Sequence, residues 1–144
     1  MISQTNPRAL WHRISGYEAI GDIFSGGRPY LHRWRLLSLP NGRRLYLHHF
    51  VRSDSQRDLH DHPKTFISIG LLGGYVEETP HGRKRFVAPF IRKFPPEHIH
   101  RIRLSPRGCW TLVLAGKTVR RWGFWVNGQW LESGYYFHIM RRML

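Results

Sequence analysis

The chain has 144 residues, 41% of them hydrophobic and 14% aromatic, so it is long and apolar enough for one packed domain and is not a disordered segment. Its single cysteine, Cys109, excludes an internal disulfide and every zinc module built on cysteine pairs, and it reads as a small buried hydrophobe. A net charge of +14 calls for anionic company, small molecule or nucleic acid, although the basic residues come as scattered pairs and not as one tract.

The opening MISQTNPRALWHRISG has no secretory apolar core, and no stretch is apolar for long enough to span a membrane, so a soluble cytoplasmic protein is expected. Within residues 1–29, Leu10, Trp11, Ile14, Ala19, Ile20 and Phe24 follow Pro7 at spacings that suit one or two short helices. These predict a helical N-terminal extension, residues 1–29, packed on a main domain of residues 30–144. From Tyr30 the pattern changes to short strands: Tyr30–Leu39, Arg44–Arg52, Thr65–Leu72, Gly74–Thr79, Arg83–Ala88, Phe90–Phe94, Ile99–Leu104, Trp110–Ala115, Arg120–Val126 and Gln129–Glu132. Turn chemistry separates them, with Asn127-Gly128 reading as a two-residue hairpin loop and Gly70–Gly74 (GLLGG) as a strand-end bend. Such a rhythm predicts an all-β sandwich or barrel. The closing SGYYFHIMRRML fits a last strand and a short helix equally well.

Two segments carry the chemistry. In RDLHDHPKTF, His60 and His62 are two apart, and in an extended chain such residues point to the same side, as two ligands of one ion must. In PPEHIH, His98 and His100 share a face in the same way, and either supplies a third imidazole if a later strand returns beside the first. Of the neighbouring His48 and His49, alternation sends one towards the barrel interior without saying which. Asp61 and Glu97 are candidates for outer-shell or acid–base roles, and Arg101, Arg120 and Arg121 for clamping a phosphate or carboxylate.

The two segments, His60-Asp61-His62 followed by Gly73, then Pro95-Pro96-Glu97-His98-Ile99-His100, resemble the signature motifs of the cupin superfamily. With YLHHFVRSD, WTLVLAG and RRWGF they look like a group of small cupin-like proteins of phages and prophages, whose location would be the host cytoplasm. The resemblance implies a double-stranded β-helix, or jelly roll, holding one divalent ion (Fe, Zn, Mn or Ni) on His60, His62 and His100, with His98 beside them. The superfamily's glutamate falls at Phe66 or Ile67, so the implied site is three histidines alone, like that of cupin thiol dioxygenases.

Three readings of function follow. The first is a metal-binding cupin, an oxygenase- or isomerase-like enzyme acting on a small anionic substrate. The second is a non-catalytic cupin binding a phosphorylated or nucleotide-like ligand. The third is direct nucleic-acid binding, which +14 and six Trp allow but no recognised motif supports. Cupins often pair, so a homodimer is compatible with all three.

Overall fold

The computed structural model of the chain describes residues 16–21, 27–54 and 58–143. Among the described residues, ten strands, a short 3-10 turn at Pro40–Gly42 and one α-helix follow: β1 (Gly16–Gly21), β2 (Pro29–Ser38), β3 (Arg44–Phe50), β4 (Leu59–His60), β5 (Phe66–Thr79), β6 (Gly82–Val87), β7 (Phe90–Phe94), β8 (Arg101–Ala115), β9 (Gly123–Val126), β10 (Gln129–Glu132) and α1 (Ser133–Met143). A seven-stranded sheet runs β1-β2-β3-β8-β5-β6, with β7 also on β5, and a three-stranded sheet runs β10-β9-β4. Every pairing among the described residues is antiparallel.

The sheets meet at His60 and His100. His60 and His100 exchange both backbone hydrogen bonds, at 2.9 and 3.0 Å, while His60 also pairs with Phe124 of β9. The short strand β4 is thus the seam between the two sheets.

Two long strands replace four expected short ones. β5 passes through GLLGG without ending, because bulges between Gly70 and Leu72 and between Gly73 and Tyr75 bend it in mid-course. Gly73 has φ +76°, and a Cβ there would lie 2.0 Å from the Gly108 carbonyl oxygen, so no other residue fits this bend. β7 covers the first half of β5 and β6 the second, and β8 lies along its other edge throughout. The last strands behave as expected: Asn127 and Gly128 both have positive φ, as a tight hairpin turn requires.

The helical N-terminal extension is corrected. Its described part, Gly16–Gly21, is strand β1 on the edge of β2, with the Tyr17 hydroxyl 2.7 Å from His32 Nδ1. A six-residue segment between glycines gains a ladder of bonds there, whereas a helix that short is costly to nucleate. The remaining residues expected to be helical, 1–15 and 22–26, lie outside the described residues. Among the described residues the α-helix is at the other end of the chain: Glu132 accepts from the Tyr135 backbone N–H at its start, Tyr136 stacks on Phe124 at 3.9 Å, and Arg141 and Arg142 face the negative end of its dipole.

Apolar packing centres on Tyr75, Ile102 and Cys109, flanked by Phe50, Phe86, Phe90 and Leu104. Cys109 is the buried small hydrophobe expected, and burial pushes its thiol up to about 11, which leaves it inert at neutral pH. No helix among the described residues is long and apolar enough to cross a membrane.

Candidate metal centre

The ring nitrogens of His60, His62 and His100 come together, one from each residue, all within 4.8 Å of one another. Each is placed by a backbone bond near the seam. His60 is locked to His100 as above, and the His62 N–H donates to the Pro96 carbonyl. Their rings meet edge to face, His60 against His62 at 5.3 Å and His62 against His100 at 4.8 Å, so that the nitrogens converge instead of stacking. Phe66, one of the two positions where the resemblance would put a glutamate, packs edge-on against His62 at 5.4 Å and supports it without offering a donor.

His62 Nε2 lies 3.0 Å from His100 Nε2. Two nitrogens each ~2.1 Å from one ion and at right angles about it would be ~3.0 Å apart. The tautomers agree with this. His100 Nδ1 is 2.7 Å from Glu77 Oε1, which accepts its proton, so Nε2 carries the lone pair. Without an ion His62 donates across the 3.0 Å gap; an ion would replace that proton and take both lone pairs.

Glu77 is the residue that sequence reasoning missed. It takes His98 Nε2 at 2.7 Å on the same oxygen, and Arg92 at 2.6 Å on the other. Phe86 and Phe94 face the Arg92 guanidinium at 3.7 and 4.4 Å. Burial pushes the Glu77 carboxyl up, but hydrogen bonds from His100, His98 and Arg92 outweigh it and hold the pKa below the usual carboxylate range. The carboxylate behind His100 is therefore Glu77, and its only sequence signal is that alternation places it on the same side of β5 as Tyr75.

The other candidates are distributed as follows. His48 faces the interior, where its Nε2 accepts from Arg33 Nε at 3.0 Å, whereas His49 stacks on Trp110 at 3.9 Å on the opposite face of the sheet. Asp61 is buried but does not touch a histidine ring; its oxygens accept from the Gly123 N–H and Trp130 Nε1 and pair with Arg120 at 2.9 Å. It ties the end of β4 to β9 and β10. Glu97 is exposed. Arg120 also reaches the His62 and Pro96 carbonyls, and Arg101 is held by Glu78, which draws in Arg83 and Arg103 as well. Arg121 is exposed. None of the three predicted anion-clamping arginines lines the cavity described next.

That cavity, of about 520 Å³, opens inside the larger sheet, and His60, His62 and His100 form part of its wall. Such a volume suits a small organic molecule. Aromatic and aliphatic side chains dominate the remainder, among them Phe50, Phe66, Tyr75 and Trp122. Arg33 and Lys64 are the positive charges on it.

Burial lowers the pKa of His60 to about 4, with Asp54 opposing, and lowers that of His62 well below 6.5, with His100 and His60 adding to the effect. Both rings are neutral at pH 7, the form in which imidazole binds a metal. His48 is lowered to about 3 by burial and then by Arg33. Unfolding frees His48 to take a proton below pH 6.5, whereas the folded protein refuses it until about pH 3. The stability of metal-free protein is therefore expected to fall as pH drops through this window, by up to about 1.4 kcal/mol per pH unit from His48. In urea unfolding between pH 7 and 4, His48→Gln should show a shallower fall than wild type, and an equal slope would contradict the buried neutral state.

No protein-family model matches the chain, and no curated protein matches it. Solved structures do. The DMSP lyase DddQ from Ruegeria pomeroyi is similar over 72% of this chain and 57% of that one, with TM-score 0.55 and 17% identity. An RmlC-like cupin from Shewanella frigidimarina is similar over 72% of this chain and 84% of that one, with TM-score 0.52 and 17% identity. A protein with a cupin-like fold from Ralstonia eutropha covers 88% of this chain and 78% of its own, with TM-score 0.52 and 16% identity. The chain spans little more than half of the lyase's length. These likenesses show that the fold is that of the cupins.

Proposed function

We propose that this cupin-fold chain is a metal-dependent protein whose ion is held by His60, His62 and His100, and that it is an enzyme of oxygenase or isomerase type acting on a small anionic molecule in the adjoining cavity. The observation that carries the reading is the convergence of three imidazole nitrogens on the wall of a mostly apolar cavity, with Glu77 behind one of them. The donor set is imidazole alone, which suits Fe, Zn or Ni better than Mn, an ion that favours carboxylate and water. The ion would supply Lewis acidity or oxygen activation, with coordination positions left for water or substrate.

The chain's own part is to position and to exclude. Glu77 keeps the His100 proton on Nδ1 and its lone pair aimed inward. Trp122 and Phe124, edge-on or tilted to His60 at 6.2 and 5.9 Å, shield that ring from water. The structural neighbours include a protein described as a DMSP lyase, so the fold supports an enzyme, but chemistry belongs to sites and not to folds.

Metal analysis of the purified protein, with mass spectrometry of small molecules released on denaturation, tests the reading. About one ion per chain is expected, together with an anionic compound that is chemically altered when returned to fresh protein. Return of the compound unaltered would make the chain a binder, and protein that takes up no added Fe, Zn or Ni would end the metal reading altogether.

A further inference from the structure

β2, β3 and β8 lie side by side, and the cross-strand pairs Arg33–His48 and His48–Thr111 set three side chains in one row across the inner face. All three line the cavity. This row is polar where its surroundings are aromatic, and it is incompletely satisfied. Among the described residues Arg33 gives its Nε–H to His48 and lies over the Tyr46 ring at 4.6 Å, and its one carboxylate partner is Glu18, at 3.5 Å in an exposed position where an ion pair is worth little. Thr111 is 1% exposed, and among the described residues its hydroxyl has no hydrogen-bond partner. Such a group is costly unless something in the cavity bonds it.

Lys64, in the loop between β4 and β5, lines the same cavity and is half-buried. Among the described residues its ammonium has no carboxylate partner, and it lies close enough to Arg33 and Arg44 to be repelled by both. The cavity's own carboxylates are engaged elsewhere: Asp54 accepts the Ile102 N–H, and Asp61 pairs with Arg120. Two cations therefore face one cavity with no acidic side chain between them.

We propose that Arg33 and Lys64 form an anion-binding site in the cavity, distinct from the histidine centre, with Thr111 offering a hydroxyl to the same molecule. The ligand then carries a carboxylate or a phosphate, which the planar guanidinium and the compact ammonium recognise together. This deepens the functional reading above and rests on it only for the cavity being a ligand site.

Calorimetric titration of the purified full chain with inorganic phosphate and, separately, with succinate tests it. Wild type is expected to bind at least one probe at one per chain, and the tighter probe identifies the head group. Lys64 makes no hydrogen bond among the described residues, so Lys64→Met does not put folding at stake. It should weaken binding about tenfold or more, while Arg85→Gln, which removes an equal charge from an exposed strand, changes it by less than about twofold. The metal content of Lys64→Met should equal that of wild type, and anion binding should survive in His60→Ala/His62→Ala. Binding of neither probe, equal losses in Lys64→Met and Arg85→Gln, or anion binding that vanishes with the histidines would each overturn the proposal. Anion binding to a chain that takes up no metal would overturn the metal reading and leave this one standing.

Discussion

Replacing His60 and His62 together by alanine is expected to abolish metal uptake and, with it, the rise in melting temperature that metal produces in wild type. A ligand that binds only the folded state stabilises it by mass action, by about 2.7 kcal/mol when free ion stands at a hundred times its dissociation constant. For a domain of this size that corresponds to roughly 10 °C. Alanine also removes ring contacts, since His60 packs against Trp122 and Phe124 and His62 against Phe66, so the variant will melt lower even without metal. The quantity to compare is therefore the shift on adding Zn, Fe or Ni, not the melting temperature itself. Wild type should shift and bind about one ion per chain; the double variant should do neither. Equal, sub-stoichiometric metal in both proteins would show that the histidines meet for structural reasons alone.

That these residues meet was legible because the local geometry is rigid. In extended chain, residues two apart must share a side, so His60 and His62 had to converge wherever the strand went. The all-β class followed from the same regularity, since recurring turn residues leave little room for helices, although β5 and β8 run through two of the expected breaks. What stayed hidden depends on register between distant parts of the chain. Which of His48 and His49 faces inward is decided by the pairing of β3 with β8, where His48 falls opposite Thr111 and His49 opposite Trp110. Glu77 sits behind His100 because β5 runs the whole length of β8, and that needs the bulges at GLLGG to bend a strand and not to end it. The arginines misled for a different reason. A net charge counts cations without their partners, and Arg101 and Arg120 are bound to Glu78 and Asp61, while Arg33 and Lys64, which stood out less in the sequence, reach the cavity.

Glu77→Ala is expected to cost both stability and metal affinity, and comparison with Glu77→Gln separates the two. Alanine leaves the Arg92 guanidinium, 14% exposed, without its carboxylate. Breaking a buried pair on one side typically costs about 3–5 kcal/mol, and the lower end applies here because Phe86 and Phe94 still stack on the cation. The same change takes the acceptor from His100 Nδ1, so the ring is free to turn and to carry its proton on Nε2, where an ion would bind. Loss of such a supporting group usually lowers metal affinity about 10- to 100-fold. Glutamine keeps one carbonyl oxygen in place for His100 but turns an amide N–H₂ towards Arg92, donor against donor. It should therefore hold metal more tightly than alanine does while still losing stability. Competition with a chromophoric chelator gives the affinities, and calorimetric melting of the metal-free proteins gives the stabilities. If Glu77→Ala binds metal as wild type does, His100 is oriented by its backbone bridge to His60 alone. If its metal-free form melts at the wild-type temperature, the Glu77–Arg92 pair contributes nothing net to the fold.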